Sequence, residues 1–384
     1  MQQILNIRNS DDPRDIIHLA VQALVDGELV VFPSETGYLL TGYSLQPEAA
    51  DRLKNVIEDT TPGGKYQGSC FLALKTGTEL SDYTGSLDTL ERKLSRRCWP
   101  GPVCLTFPLP DKSSSAPSLL SSFSKPAREL LENENRLQYR VPAHDSIQDA
   151  MKLLPAPLIT LRECWGGAEL LTTVEDVQEF LGNHPALIID DGPSRYGQCA
   201  TVVEVTRSGW EVKEKGVVSA ATLRRLASEM YLFVCTGNTC RSPMAEVLFR
   251  KFLSDKLNCQ EDELFDRGFM VESAGLSAMP GMRASAEAVN VVAPMGVDLS
   301  VHQSQPLTNR LIDQADHIFV MTRGHLESLL SVRPDIYDRA CLLSPEGDDV
   351  SDPIGGGRVH YEECKTQIEQ YVRELVDNIQ LTDQ

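Results

Sequence analysis

Residues 230–246, MYLFVCTGNTCRSPMAE, constrain the fold of this chain more than any other stretch. A short apolar run rich in aromatic and branched side chains reads as a buried strand ending at Cys235. The chain must then turn back sharply, because Ser242 and Pro243 open a helix in which Met244, Val247, Leu248 and Phe252 recur at helical spacing. Gly237 and Asn238 tolerate positive φ, so the turn can curl until several backbone N–H groups point inward. Strand, turn and helix N-terminus together make an anion cradle of Thr236, Gly237, Asn238, Thr239 and Cys240, and Arg241 adds a planar fork of donors suited to phosphate.

The same field favours a thiolate, so Cys235 at the base of the cradle is the expected nucleophile. A phosphocysteine intermediate needs an acid for the leaving group and then a base for water. Asp352, in the segment VSDPIGGG, is the candidate, with Asp348 and Asp349 as rivals. Taken singly, Cys235 is satisfied as a buried strand-end cysteine, Arg241 as a helix cap and Asp352 as a turn former. Their joint occurrence around one strand, one curled turn and one helix start favours the chemical reading.

Beyond Cys235, strand and helix signals alternate. VESAG (271–275), HIFVMT (317–322) and RACLLS (339–344) read as strands, while residues 285–296, ending at Gly296, and residues 361–379 read as helices. This predicts an α/β fold with a doubly wound, mostly parallel sheet and its ligand site at the carboxyl ends of the strands. A second strand signal, LVVFP at 29–33, opens a separate architecture, and 384 residues exceed what one core serves. Two domains, 1–229 and 230–384, are therefore expected, joined near the amphipathic stretch SAATLRRLASE. Residues 111–125, DKSSSAPSLLSSFSK, read as an exposed loop.

The net charge of -19 is spread over both parts, with 23 basic against 31 acidic residues in 1–229 and 13 against 24 in 230–384. This balance argues against nucleic-acid binding, which rests on cations at phosphates. No apolar run approaches the roughly 20 residues that span a bilayer, and the acidic start lacks a signal-peptide layout, so no membrane association and a cytoplasmic location are expected. Ten cysteines without paired spacing beyond Cys235 and Cys240 suit a reducing compartment. Neither metal nor cofactor is expected.

With the segments SAGL (273–276), GVDLSVHQSQPL (296–307), ADHIFVMTRGH (315–325) and the Asp-Pro loop, the second part resembles the low-molecular-weight protein-tyrosine-phosphatase family. The resemblance implies a phosphorylated protein as substrate, Asn238 and Ser273 as hydrogen-bonding supports of the loop, and Ser242 as a donor to the Cys235 sulfur. It also implies a redox role for Cys240, as partner of Cys235 in a reversible disulfide; the alternative is that Cys240 only fills space. Thr239 and a flap without aromatic residues look like the bacterial subgroup that acts on phosphoarginine, with phosphotyrosine as the alternative.

Residues 1–229 resemble the threonylcarbamoyl-AMP synthase (YrdC-like) family through VVFPSETGYLL (30–40), CWPGPVCLTFPL (98–109), YRVPAH (139–144) and IIDDGPSRYGQCATVVEV (188–205). That family has a twisted α/β fold around a nucleotide pocket, which makes Ser34, Thr36, Tyr38, Arg140 and His144 candidate ligand contacts here. Departures from the family pattern, among them an expected arginine that is out of register near residues 213–216, weaken the implied activity. VIEDTTPGGKYQGS (56–69) stands where the family has a cationic run, and Arg162, Glu163 and Cys164 stand where it has small polar residues. The expectation is a domain without synthase activity. The alternatives are a bifunctional protein that still makes threonylcarbamoyl-adenylate for tRNA modification, and a regulatory module that binds nucleotide or RNA.

Overall fold

A computed structural model describes residues 2–60, 69–109, 119–163, 170–206 and 209–379. The chain divides into two units, Met1–Leu223 and Arg224–Gln384. Among the described residues the first holds one ten-stranded mixed sheet: β1 (Gln3–Asn6), β2 (Val30–Pro33), β3 (Tyr38–Tyr43), β4 (Cys70–Ala73), β5 (Val103–Pro108), β6 (Arg136–Arg140), β7 (Leu158–Leu161), β8 (Leu187–Asp190), β9 (Thr201–Thr206) and β10 (Gly209–Glu214). Their spatial order is β1-β8-β2-β3-β7-β4-β6-β5-β9-β10. The central strands β2, β3, β4 and β7 are buried throughout, as expected of strands covered on both faces.

Helices α1 (Pro13–Val25), α2 (Pro47–Thr60), α3 (Leu80–Thr84), α4 (Thr89–Cys98), α5 (Lys125–Leu131), α6 (Asp145–Lys152) and α7 (Val174–Leu181) connect these strands, and α8 (Ala220–Ala227) carries the chain onward. The predicted loop at 111–125 ends earlier than expected. Residues 111–118 lie outside the described residues, Leu119–Ser122 forms a 3-10 turn, and Ser124 caps α5, with Pro126 in its first turn. Serine as N-cap and proline just inside a helix are start signals, and they override the loop-like composition.

The second unit runs β11 (Glu229–Cys235), α9 (Arg241–Leu257), β12 (Phe269–Gly275), α10 (Ala286–Val292), α11 (Asn309–Gln314), β13 (His317–Val320), α12 (Arg323–Val332), β14 (Ala340–Leu342) and α13 (Arg358–Asp377). Its four strands are all parallel in the order β12-β11-β13-β14. The helix expected over 285–296 ends early: α10 stops at Val292, Ala293–Met295 forms a 3-10 turn, and Gly296 follows at φ 78°. Pro294 supplies no N–H for a helical bond, so the α-ladder cannot continue.

β11 is central, and its side chains alternate between two cores. Tyr231, Phe233 and Cys235 pack on the side of α9 and α13, and Leu232 and Val234 on the side of Ile312, Ile318 and Leu329. Phe233 and Phe249 of α9 meet with ring centroids 5.4 Å apart, which locks α9 to the strand that precedes it. Among the described residues no helix is long and apolar enough to cross a membrane. Eight described cysteines are free, but Cys199 is disulfide-bonded, which the spacing of the cysteines did not indicate.

Candidate active site

Because side chains alternate along β11, its last residue, Cys235, falls on the face covered by α9 and reaches the carboxyl end of the sheet, 3% exposed. The loop beyond it turns on one left-handed residue, Asn238 at φ 55°. Gly237, expected to share that role, is not in the left-handed region. Asn238 pays for its conformation with a full set of hydrogen bonds. Its Nδ2 donates to Ser242 Oγ at 2.9 Å and Ser273 Oγ at 2.8 Å, and its Oδ1 accepts from the Gln305 N–H at 2.9 Å. Its carbonyl accepts from His302 Nε2 at 2.9 Å, and Ser273 in turn donates to Glu246 Oε2 at 2.6 Å. The expected supports Asn238 and Ser273 thus touch, while Gln305, His302 and Glu246 were not legible as members of the same network.

Two donors converge on the sulfur. The Asn238 N–H lies 3.3 Å from Cys235 Sγ, and Ser242 Oγ lies 3.0 Å from it. Ser242 receives from Asn238, so its own proton is available to the sulfur or to the Ala274 carbonyl 3.3 Å away. A negative charge on sulfur would select the first.

Arg241 is the first residue of α9 and is 5% exposed. Its Nη1 donates to the Val350 carbonyl at 3.4 Å and its Nη2 to Asp352 Oδ2 at 2.7 Å. The rival acids are engaged differently: Asp349 accepts from the Arg323 N–H at 2.7 Å, and the Asp348 backbone donates to Ser344 Oγ at 3.2 Å. Asp352 alone of the three reaches Arg241. Its other oxygen accepts from the Ile354 N–H at 3.2 Å, the buried Pro353 anchors the flap, and Gly355 at φ 76° turns it back.

Thr239 is half-buried, and a β-carbon added at Gly237 would lie 3.7 Å from its Oγ1, so the hydroxyl leans across the loop. Cys240 is free, and its sulfur lies 3.3 Å from Ser285 Oγ and 3.4 Å from the Tyr361 hydroxyl. Burial, and then the bond to Cys240, push the Tyr361 phenol up to about 12. On the other flank, Thr236 Oγ1 lies 2.8 Å from Nε2 of the buried His325.

Gly275, the last residue of β12, is a further member that spacing did not reveal. A β-carbon there would stand 2.6 Å from the Thr236 carbonyl oxygen and 2.9 Å from the Asn238 nitrogen, both backbone atoms. Gly275→Ala is therefore expected to push the loop out of register with Arg241. Overpacking of this kind costs about 1–3 kcal/mol. The checks are a lower melting temperature and at least a tenfold lower kcat/KM on an aryl phosphate; parent-like values in both would mean that the loop has slack.

In the first unit Ser34, Thr36 and Arg140 come together. Ser34 Oγ lies 3.0 Å from Thr36 Oγ1, which accepts from Arg140 Nη2 at 2.9 Å. Arg140 has no exposed surface and is held between Glu163 at 2.7 Å and Glu35 at 2.9 Å. Burial works against its charge, but the two carboxylates outweigh it and raise the guanidinium's affinity for its proton. Tyr38 donates to the Gly192 carbonyl at 2.8 Å, and His144 faces Asp191 at 3.0 Å, so these two belong to a neighbouring network. Cys164 and residues 61–68 lie outside the described residues.

Comparison with known proteins matches the low molecular weight phosphotyrosine protein phosphatase family over residues 231–384 and the Sua5–YciO–YrdC family, described as telomere recombination, over residues 22–216. A protein-arginine-phosphatase of Bacillus subtilis is 33% identical over 153 residues, 38% of this chain and 95% of that protein. Its counterpart in Geobacillus stearothermophilus is 34% identical, over 39% of this chain and 95% of that protein. A probable low molecular weight protein-tyrosine-phosphatase, EpsP of Ralstonia nicotianae, is 35% identical over 149 residues, 38% of this chain and 94% of that protein. The chain therefore belongs, through its second unit, to the low molecular weight phosphotyrosine protein phosphatase family and, through its first, to the Sua5–YciO–YrdC family.

Proposed function

We propose that the second unit, a protein-tyrosine-phosphatase-like phosphoric monoester hydrolase by family, dephosphorylates proteins through a phosphocysteine at Cys235. The observation that carries this reading is the convergence on one sulfur of the Asn238 N–H and the Ser242 hydroxyl, with Arg241 bringing Asp352 to the rim of the same loop. The loop N–H groups and Arg241 bind the non-bridging oxygens, Cys235 attacks phosphorus in line, and Asp352 protonates the departing atom. Asp352 then takes a proton from water as that water attacks the phosphocysteine, releasing phosphate and the free thiolate. Ser242 steadies the sulfur's charge in both steps.

Among phosphorylated proteins we favour phosphoarginine as the substrate. Thr239 brings a half-buried hydroxyl to the loop, the flap at 352–357 has no aromatic ring for a phenol to stack on, and Asp352 pairs naturally with a guanidinium. Two relatives at 33% and 34% identity carry the protein-arginine-phosphatase name. The test is Thr239→Ile, which keeps the branch and removes the hydroxyl. One well-placed hydrogen bond in a desolvated site is worth about 0.5–1.5 kcal/mol, so the ratio of kcat/KM on phosphoarginine to that on phosphotyrosine peptides should fall several-fold. An unchanged ratio would return the assignment to phosphotyrosine.

For the first unit we propose a binding fold without synthase chemistry. Arg140, the cation bonded to Thr36, is already neutralised by Glu35 and Glu163 and has no surface open to a ligand. The full chain is expected to yield no threonylcarbamoyl-adenylate from threonine, bicarbonate and ATP. Product above background in a chromatographic assay would favour the bifunctional reading instead.

A further inference from the structure

His325 stands at the third position of α12, one turn in from the cap at Thr322, and 8% of its surface is exposed. Its Nε2 lies 2.8 Å from Thr236 Oγ1, while its Nδ1 is buried with no hydrogen-bond partner among the described residues. That asymmetry decides the tautomer. A buried N–H without an acceptor costs more than a bare lone pair, so the proton sits on Nε2 and donates to the threonine oxygen. An imidazolium is excluded for the same reason, since it would strand a second N–H at Nδ1. Burial, with Arg241 as the next cause, holds the imidazole below its ordinary value against the weaker pull of Asp352 and Asp349, and the N-terminal turn of a helix also disfavours a cation.

The consequence falls on Thr236. With one lone pair taken by His325, its hydroxyl must turn its own proton elsewhere. Thr236 is exposed, and no acceptor for that proton exists among the described residues. It follows the nucleophile directly, its carbonyl is tied to the Ser277 N–H at 2.9 Å and its hydroxyl to His325, so both its backbone and its side chain are held beside Cys235. We propose that Thr236 is a substrate-binding hydroxyl which donates to an oxygen of the phosphorylated substrate, and that His325 is the positioning residue that sets its direction. This rests on the phosphatase reading of the loop. It adds a donor on the flank opposite the Cys240–Tyr361 pair. The accepting oxygen is either on the phosphoryl group or on the substrate's peptide backbone, and the two are separable by experiment.

The experiment is calorimetric binding of inorganic phosphate, and of a non-hydrolysable phosphonate peptide, to the full chain and to Thr236→Val, His325→Phe, the double variant and His325→Gln. Each of the first two variants should weaken binding about three- to tenfold, the factor that one hydrogen bond supplies. The double variant should lose no more than either single one, because His325 acts only through Thr236. His325→Gln, whose amide N–H can replace Nε2–H, should bind nearly as the parent does. A loss with phosphate and peptide alike assigns the phosphoryl oxygen, and a loss with the peptide alone assigns the backbone carbonyl. Parent-like binding by Thr236→Val, or losses that multiply in the double variant, would overturn the proposal.

Nitrogen-15 spectra of the His325 ring in the parent test it without a variant. A neutral ring protonated at Nε2 at pH 7 is expected, and an imidazolium or an Nδ1–H ring would overturn it. These outcomes are distinct from failure of the phosphatase reading, which is decided by turnover in Cys235→Ser.

Discussion

Cys235→Ser is expected to lower turnover by about four orders of magnitude or more, the scale on which removing a catalytic nucleophile acts, while phosphate or vanadate still binds with nearly the parent affinity. The two halves of this expectation have separate physical origins. On this reading binding comes from the loop N–H groups and from Arg241, and the loop is held chiefly by the Asn238 side-chain bonds to Ser273 and Gln305 and by the start of α9, so that losing the contacts of the Asn238 N–H and Ser242 with sulfur leaves most of its support in place. Turnover needs an anionic nucleophile, and at neutral pH a serine hydroxyl in the same place is overwhelmingly protonated. Single-turnover rates on an aryl phosphate together with calorimetric vanadate binding check both halves. Activity near that of the parent would sink the nucleophile assignment, and loss of binding along with turnover would mean that the sulfur also props up the loop.

The second large effect belongs to Asp352. A general acid typically contributes about 10²–10⁴-fold, and it does so in proportion to how badly the leaving group needs a proton. Asp352→Ala should therefore cut kcat on a phosphoarginine or phosphotyrosine peptide by that factor, and on an aryl phosphate with an acidic phenol far less. The ion pair adds a control. Because Asp352 also accepts from Arg241 Nη2 at 2.7 Å, alanine removes a positioning contact as well as an acid. Asp352→Asn keeps an oxygen for Arg241, so the contact survives as a weaker, neutral hydrogen bond while the proton transfer is lost. Equal losses on good and poor leaving groups in both variants would point to a structural carboxylate. The alternatives Asp348 and Asp349 would then return, although Asp349 is committed to the Arg323 N–H.

The sequence alone was enough for the strand, the curled turn and the start of the helix that follows, though not for its end at Leu257, and for the alternation that builds the parallel sheet, because these are written in local signals: apolar periodicity, a residue tolerant of positive φ, and proline just inside a helix. It also singled out Cys235, Arg241 and Asp352 as candidates, and folding brings Asp352 to Arg241. Other features depend on segments far apart in sequence, whose meeting no local pattern records. Gly275 is a glycine because the loop backbone of Thr236 and Asn238 presses against it from 37 to 39 residues away. Gln305 and His302 hold Asn238 from more than 60 residues downstream, and Asp352 meets Arg241 across 111. In the first unit, Arg140 looked like a ligand contact in its own segment, and only folding brought Glu35 and Glu163 to neutralise it. The state of a buried charge depends on what surrounds it, and those surroundings exist only once the chain has closed around it.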